Sequence, residues 1–170
     1  KVHGEESDRT ELQVGGGFSE GYGWFGQLSV QTSNFMGRGE TLGVSFQSGR
    51  YSDQFDVSYY VPWFLDQPQS IGFQIFNTSL DYSAFANQDY QRQSEGAIVT
   101  YGRGLGLFGN VTVSFTRSEL QGTSTVFDTQ GNPISIETDI SNSSMRPAYS
   151  YESRDSRFEP TVGTRISASV

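Results

Sequence analysis

Between Phe55 and Ile75 the chain combines two features that few folds can accommodate together. Apolar side chains recur at every second position, at Phe55, Val57, Tyr59 and Val61 and again at Ile71, Phe73 and Ile75, which is the period of a β-strand. The arms are separated by Pro62-Trp63-Phe64-Leu65-Asp66-Gln67-Pro68. Proline cannot donate to a strand ladder, so the two prolines bracket a connection. Hairpin connections in water are polar, yet this one carries Trp, Phe and Leu. Large apolar side chains at strand ends fit a chain whose strands stop at a membrane–water boundary.

The same period recurs along the chain. Residues 10–18 set Leu12, Val14 and Phe18 against Glu11 and Gln13, and residues 24–33 set Trp24, Leu28, Val30 and Thr32 against Gln27, Ser29 and Gln31. Residues 41–49 place Leu42, Val44 and Phe46 on one face. Ala97, Val99 and Tyr101 share a face within 93–102, as do Val111, Val113 and Phe115 within 110–120, and residues 144–152 and 163–170 supply the last two strands. Residues 70–82 form a longer strand whose phase fails near Phe76, as a bulge would cause. Residues 84–92 are expected to be a loop and 102–109 a turn. Residues 121–142 are expected to be a long polar connection, with Gln130-Gly131-Asn132-Pro133 capping a small hairpin. Gly37 and Gly39 suit the positive φ of the 34–39 connection. The result is about nine strands joined hairpin by hairpin, with no helix.

Composition decides what kind of sheet this is. The net charge of −8 leaves no basic face for phosphates, so no nucleic acid partner is expected. There is no Cys, and no apolar run of about 18 residues that would make a transmembrane helix. A membrane strand needs only about ten residues, half of them apolar. With a single Lys in the chain, the polar faces are built from Gly, Ser, Thr and Gln, where soluble sheets carry Lys and Glu. Connections after even-numbered strands hold Phe35, Trp63 with Phe64, Phe108, and Phe158, whereas those after odd-numbered strands are polar. With Trp24, these are the expected membrane-interface aromatics. A soluble β-sandwich or lipocalin-like barrel would alternate as well; the scarcity of charge argues against it. The expected fold is therefore all-β, an antiparallel up-and-down transmembrane β-barrel. An odd strand count cannot close a standard bacterial barrel, so these strands should form part of a larger one.

Chemistry-bearing motifs are weak. His3 is the only His and lies in the charged lead-in, which leaves no base for a serine triad and no His cluster for a metal. Asp53 with Asp56 fits a solvated loop better than a Ca²⁺ site. The glycine-rich run at 102–109 precedes no helix, so it implies no phosphate site. No catalytic residue, metal or cofactor is expected, and no enzymatic activity.

Four segments carry a family resemblance. Glu11-Leu-Gln-Val-Gly-Gly-Gly-Phe-Ser and Leu28-Ser-Val-Gln-Thr-Ser-Asn-Phe-Met-Gly-Arg-Gly-Glu resemble the first two barrel strands and following turn of BamA-like proteins, the outer-membrane β-barrel assembly family. Tyr60-Val-Pro-Trp-Phe-Leu-Asp-Gln-Pro is similar to the next periplasmic connection, and Ser153-Arg-Asp-Ser-Arg-Phe-Glu-Pro-Thr-Val-Gly163 to the family's Arg-Asp-X-X-Phe-X-Pro-Thr-X-Gly turn. Val61 departs from the Asp or Asn usual before the proline, and the Val-Arg-Gly-Phe motif of the sixth extracellular loop is absent. The resemblance implies that residues 10–170 are the amino-terminal half of a sixteen-stranded barrel. Residues 1–9 would be the tail of the preceding periplasmic POTRA domain.

The family likeness implies ATP-independent insertion of outer-membrane proteins through a lateral gate. There the first strand, Thr10, Glu11, Leu12, Gln13, Val14, Gly15, Gly16, Gly17 and Phe18, would pair with a client strand by β-augmentation. The implied partners are unfolded outer-membrane clients, outer-membrane lipids and lipopolysaccharide, accessory assembly lipoproteins and the remaining barrel strands. The three glycines would ease unpairing of a gate strand, or simply relieve crowding. The aromatic turns would anchor the barrel at the interface, or perturb the inner leaflet. A two-partner secretion or TamA-like translocator is the alternative within the family; a passive porin is the alternative outside it.

Overall fold

The computed structural model describes residues 9–20, 23–81, 90–156, 158 and 161–170. Most of the lead-in read at 1–9, including His3, and most of the loop read at 84–92 lie outside the described residues. Nine strands follow one another as β1 (Arg9–Ser19), β2 (Gly23–Phe35), β3 (Glu40–Gly49), β4 (Ser52–Val61), β5 (Gln69–Asp81), β6 (Tyr90–Leu105), β7 (Gly109–Phe127), β8 (Pro133–Glu152) and β9 (Arg165–Ser169). They form one sheet in sequential order with every pair antiparallel. The β4–β5 connection makes a tight turn at Phe64–Asp66, with Leu65 and Asp66 in the left-handed region.

The register turns the alternation of single strands into two continuous faces. Val14, Leu28, Phe46 and Phe55 stand opposite one another in a row, and Tyr59, Phe73, Val99, Phe115 and Met145 in another. The opposite face carries rows such as Gly15, Gln27, Gln47 and Gln54, or Gly72, Thr100 and Ser114. Hydrogen bonds run across it, from Gln74 Nε2 to Asp56 Oδ2 at 2.6 Å and between the Thr100 and Ser114 hydroxyls at 3.1 Å.

Among the described residues no apolar side chain is buried; Val14 is 75% exposed and Ile75 60%. Leaving a Val, Leu, Ile or Phe in water forgoes roughly 1.5–3 kcal/mol apiece, so the apolar face needs a hydrocarbon phase against it. A β-sandwich would bury this face under a second sheet, and all nine strands lie in one sheet.

Three expectations are corrected. No bulge lies at Phe76, although the apolar residues of β5 do change parity there, from Ile71, Phe73 and Ile75 to Phe76 and Leu80: β5 pairs with both neighbours without a register shift, and the one shift among the described strands lies between Ser33 and Phe35. Phe76 belongs to the polar face, where its ring covers Gly96: a Cβ built there would lie 2.7 Å from Phe76 Cζ. The turn read at 102–109 is shorter, since β6 runs on to Leu105 and β7 starts at Gly109. The polar connection read at 121–142 is strand: β7 and β8 pair without interruption from Gly109↔Tyr151 to Phe127↔Pro133. Asp128 closes that hairpin, its Oδ1 accepting the Gln130 and Asn132 amides at 2.7 and 2.8 Å.

At about 3.3 Å per residue, β6 to β8 outrun an apolar band that about ten residues would cross. Above Phe115 the apolar face turns polar, with Arg117 and Glu119 on β7 and Ser143, Ser141 and Asp139 on β8. Apolar side chains there move to the other face, as Leu120 opposite Ile140 and Val126 opposite Ile134. These strands therefore stand beyond the hydrocarbon on the side of the odd-numbered connections.

The β8–β9 connection is held by Asp155. Its Oδ1 accepts the amides of Ser156, Thr161 and Val162 at 2.9, 3.0 and 3.2 Å, and its Oδ2 accepts the Thr161 hydroxyl at 2.5 Å. The Thr161 hydroxyl, then these amides, hold the carboxyl at about 2, below the ordinary 3.8. A depressed carboxyl stabilises the fold above its unfolded pKa, and that contribution is lost as pH falls through the folded value. In the native protein, pepsin cleavage at the fully exposed Phe158 should accelerate only as pH drops below 3.8 toward 2. In Asp155→Asn it should already be fast at about pH 4. Equal digestion of the two proteins at that pH would remove the carboxylate from this role.

Candidate functional site

β1 carries the segment expected to pair with a client. One edge is fully engaged with β2, from Arg9↔Ser33 to Ser19↔Gly23, and the Thr10 and Thr32 hydroxyls lie 3.1 Å apart across the pair. The other edge faces no strand among the described residues. Leu12, Val14, Gly16 and Phe18 continue the apolar face, while Glu11, Gln13, Gly15 and Gly17 continue the polar one. The sheet thus brings all nine residues, Thr10 to Phe18, onto one edge strand.

The glycines have a packing reason of their own. A Cβ at Gly15 would meet the Gln27 side chain at 3.1 Å, one at Gly17 the Phe25 ring at 3.1 Å, and one at Gly16 the Phe25 carbonyl oxygen at 3.1 Å. Side chains of β2 therefore lie over β1 where β1 has none of its own. A strand with few side chains holds its neighbour mainly by backbone hydrogen bonds.

The aromatic residues mark the two ends of the apolar band. Phe35 meets Tyr59 edge-on at 6.5 Å, and Phe108 meets Tyr151 at 6.0 Å. Trp63 and Phe64 occupy the β4–β5 turn, where the Phe64 carbonyl accepts Gln69 Nε2 at 3.0 Å. These residues and Phe158 sit at connections of one side. Trp24 lies at the other end, 5.1 Å from Phe18. Two aromatic levels, one at each strand end, are the arrangement of interfacial girdles.

Sequence reasoning missed a third feature. A cavity of about 680 Å³ opens on the apolar face between the β2–β3 and β4–β5 turns. The only buried polar or charged residue among those described, Glu40, forms part of its wall and accepts the Tyr59 hydroxyl on Oε2 at 2.5 Å. Arg38 and Asp66 stand at its edge, both exposed. The motif 34–39 was legible as a glycine turn, and Gly37 and Gly39 do take positive φ, but nothing in it announced a wall for a cavity formed with residues some 25 positions later.

This architecture has known counterparts. The fold is similar to that of BamA from Haemophilus ducreyi, in a crystal structure lacking POTRA domains 1–3, with a TM-score of 0.62 and 19% identity. The match covers 97% of this chain and 34% of that one, so the chain spans about a third of the length of that relative. A family model of the Omp85 superfamily domain matches residues 34–170, leaving β1 and most of β2 outside the match. With most of its length matched, and with the sequential antiparallel sheet of a partial barrel, the chain belongs to the Omp85 superfamily.

Proposed function

We propose that this chain forms the amino-terminal wall of an outer-membrane insertase, in which β1 templates the terminal strand of a client protein without ATP. Membership in an outer-membrane assembly and translocation family supports the general role. The observation that carries the specific one is the strictly sequential strand order. In such a barrel the second edge of β1 can pair only with a strand from elsewhere in the ring, or with a client. A gate is cheapest where one partner is poor in side chains, and Gly15, Gly16 and Gly17 give β1 that character. Pairing by β-augmentation reads backbone groups, so one edge can serve clients of many sequences. Lipids and lipopolysaccharide would contact the apolar face, and accessory lipoproteins would act from the periplasm.

Site-specific disulfide crosslinking tests this. In the intact protein, cysteines at Leu12 and Val14 should trap a client's last strand, each at one register and two residues apart from the other. A passive pore would give no adduct at either position.

A further inference from the structure

The cavity between the β2–β3 and β4–β5 turns has the makings of a lipid site. Its floor is wall of the apolar face, the opposed pairs Tyr59↔Phe73 and Val61↔Ile71. These side chains face hydrocarbon if the apolar face lies in a membrane, so the molecule nearest the cavity is a lipid. The mouth is charged with both signs. Arg38 comes from one turn and Asp66 from the other, and neither has an ion-pair partner among the described residues. Glu40, by contrast, is engaged by Tyr59 and buried. Trp63 also lines the cavity and is 62% exposed.

The turns themselves are unusual. Asn34 and Met36 in one, and Leu65 and Asp66 in the other, are the non-glycine residues with positive φ among those described, at 62°, 58°, 57° and 56°. Backbone held in the left-handed region concentrates where a structure positions a ligand. Asn34 Oδ1 locks its turn by accepting the Gly39 amide at 2.6 Å.

We infer that this cavity binds one glycerophospholipid with a phosphoethanolamine head group. The guanidinium of Arg38 would take the phosphate, a geometry arginine favours, and the Asp66 carboxylate would take the ammonium. The acyl chains would lie along the Tyr59–Phe73 and Val61–Ile71 rows. A purely anionic head group satisfies Arg38 but meets repulsion from Asp66, so the zwitterion is preferred. The inference rests on the apolar face lying in a bilayer.

Trp63 is a built-in reporter. The intact protein is placed in vesicles of equal phosphoethanolamine and phosphoglycerol lipid, with brominated acyl chains on one class at a time. The fluorescence lost on Trp63→Phe isolates the Trp63 signal. Quenching by the brominated phosphoethanolamine lipid is expected to exceed that by the phosphoglycerol lipid at least about twofold. The ratio should fall to about one in Arg38→Ala and Asp66→Asn, which change only exposed side chains. Equal quenching in the native protein, or a preference that survives both substitutions, overturns the site while leaving the membrane placement intact. Absence of quenching by either lipid overturns the placement and the site together.

Discussion

Of the two substitutions Gln13→Pro and Val14→Pro, one is expected to slow client assembly while leaving the barrel folded, and the other to weaken the barrel itself. Neighbouring residues of a strand send their N–H groups to opposite edges, so one of these two amides faces β2 and the other faces the free edge. Gln13 stands opposite Ser29 and Val14 opposite Leu28, well inside the eleven paired positions of β1, so neither result can be blamed on a frayed end. Proline removes the N–H and puts a ring in its place. On the free edge this deletes one bond to an incoming strand and leaves the partner carbonyl unsatisfied, a loss of about 1–3 kcal/mol, and hence about a five- to 150-fold drop in client assembly. On the β2 side the same change lowers the temperature at which the barrel loses its heat-modified mobility on gels. If both variants assemble clients at the native rate, the templating role of β1 is excluded.

The parts of this fold that could be read from sequence are those where one face stays apolar. β1 to β5 are bounded to within about two residues by the alternation of Leu12 through Ile75, because most of the apolar side chains of each strand fall at positions of one parity. The reading failed where the physical environment changes along a single strand. Up to Phe115 the apolar residues of β7 are odd-numbered; from Leu120 to Val126 they are even-numbered. Leaving the hydrocarbon inverts which face is apolar, and an inverted period looks like a loop to any test that follows one face. Phe76 misled for a related reason: an aromatic on the polar face breaks the pattern locally, and only the facing Gly96 explains how it fits. The edge proposed to template clients was visible as a glycine-rich first strand, and β1 does form one edge of the described sheet. The cavity was not, because Arg38, Glu40 and Asp66 look like ordinary turn residues until the register brings their turns together.

The largest effect on folding is expected at Gly163. Its φ of +108° is one that side-chain-bearing residues avoid, and a Cβ there would overlap the Ser153 carbonyl oxygen and lie 2.6 Å from Arg154 Cα. Neither obstacle is the end of a flexible side chain, and the backbone cannot easily retreat. Ser153 N donates to the Thr164 carbonyl at 3.0 Å on one side of the glycine, and Asp155 N to the Val162 carbonyl at 3.1 Å on the other. Alanine must break at least one of these bonds, and with it the alignment that delivers β9, five residues long, to its register of Ala148↔Ser169 through Glu152↔Arg165. Gly37 supplies the control: its φ is +71°, and a Cβ there would meet nothing within 4 Å. Gly37→Ala should therefore cost only the backbone term, about 1 kcal/mol, whereas Gly163→Ala should cost about 3 kcal/mol or more. Denaturant titration of the intact protein in vesicles separates the two by midpoint. Coinciding midpoints would mean that the β8–β9 turn yields freely, and that β9 finds its register without it.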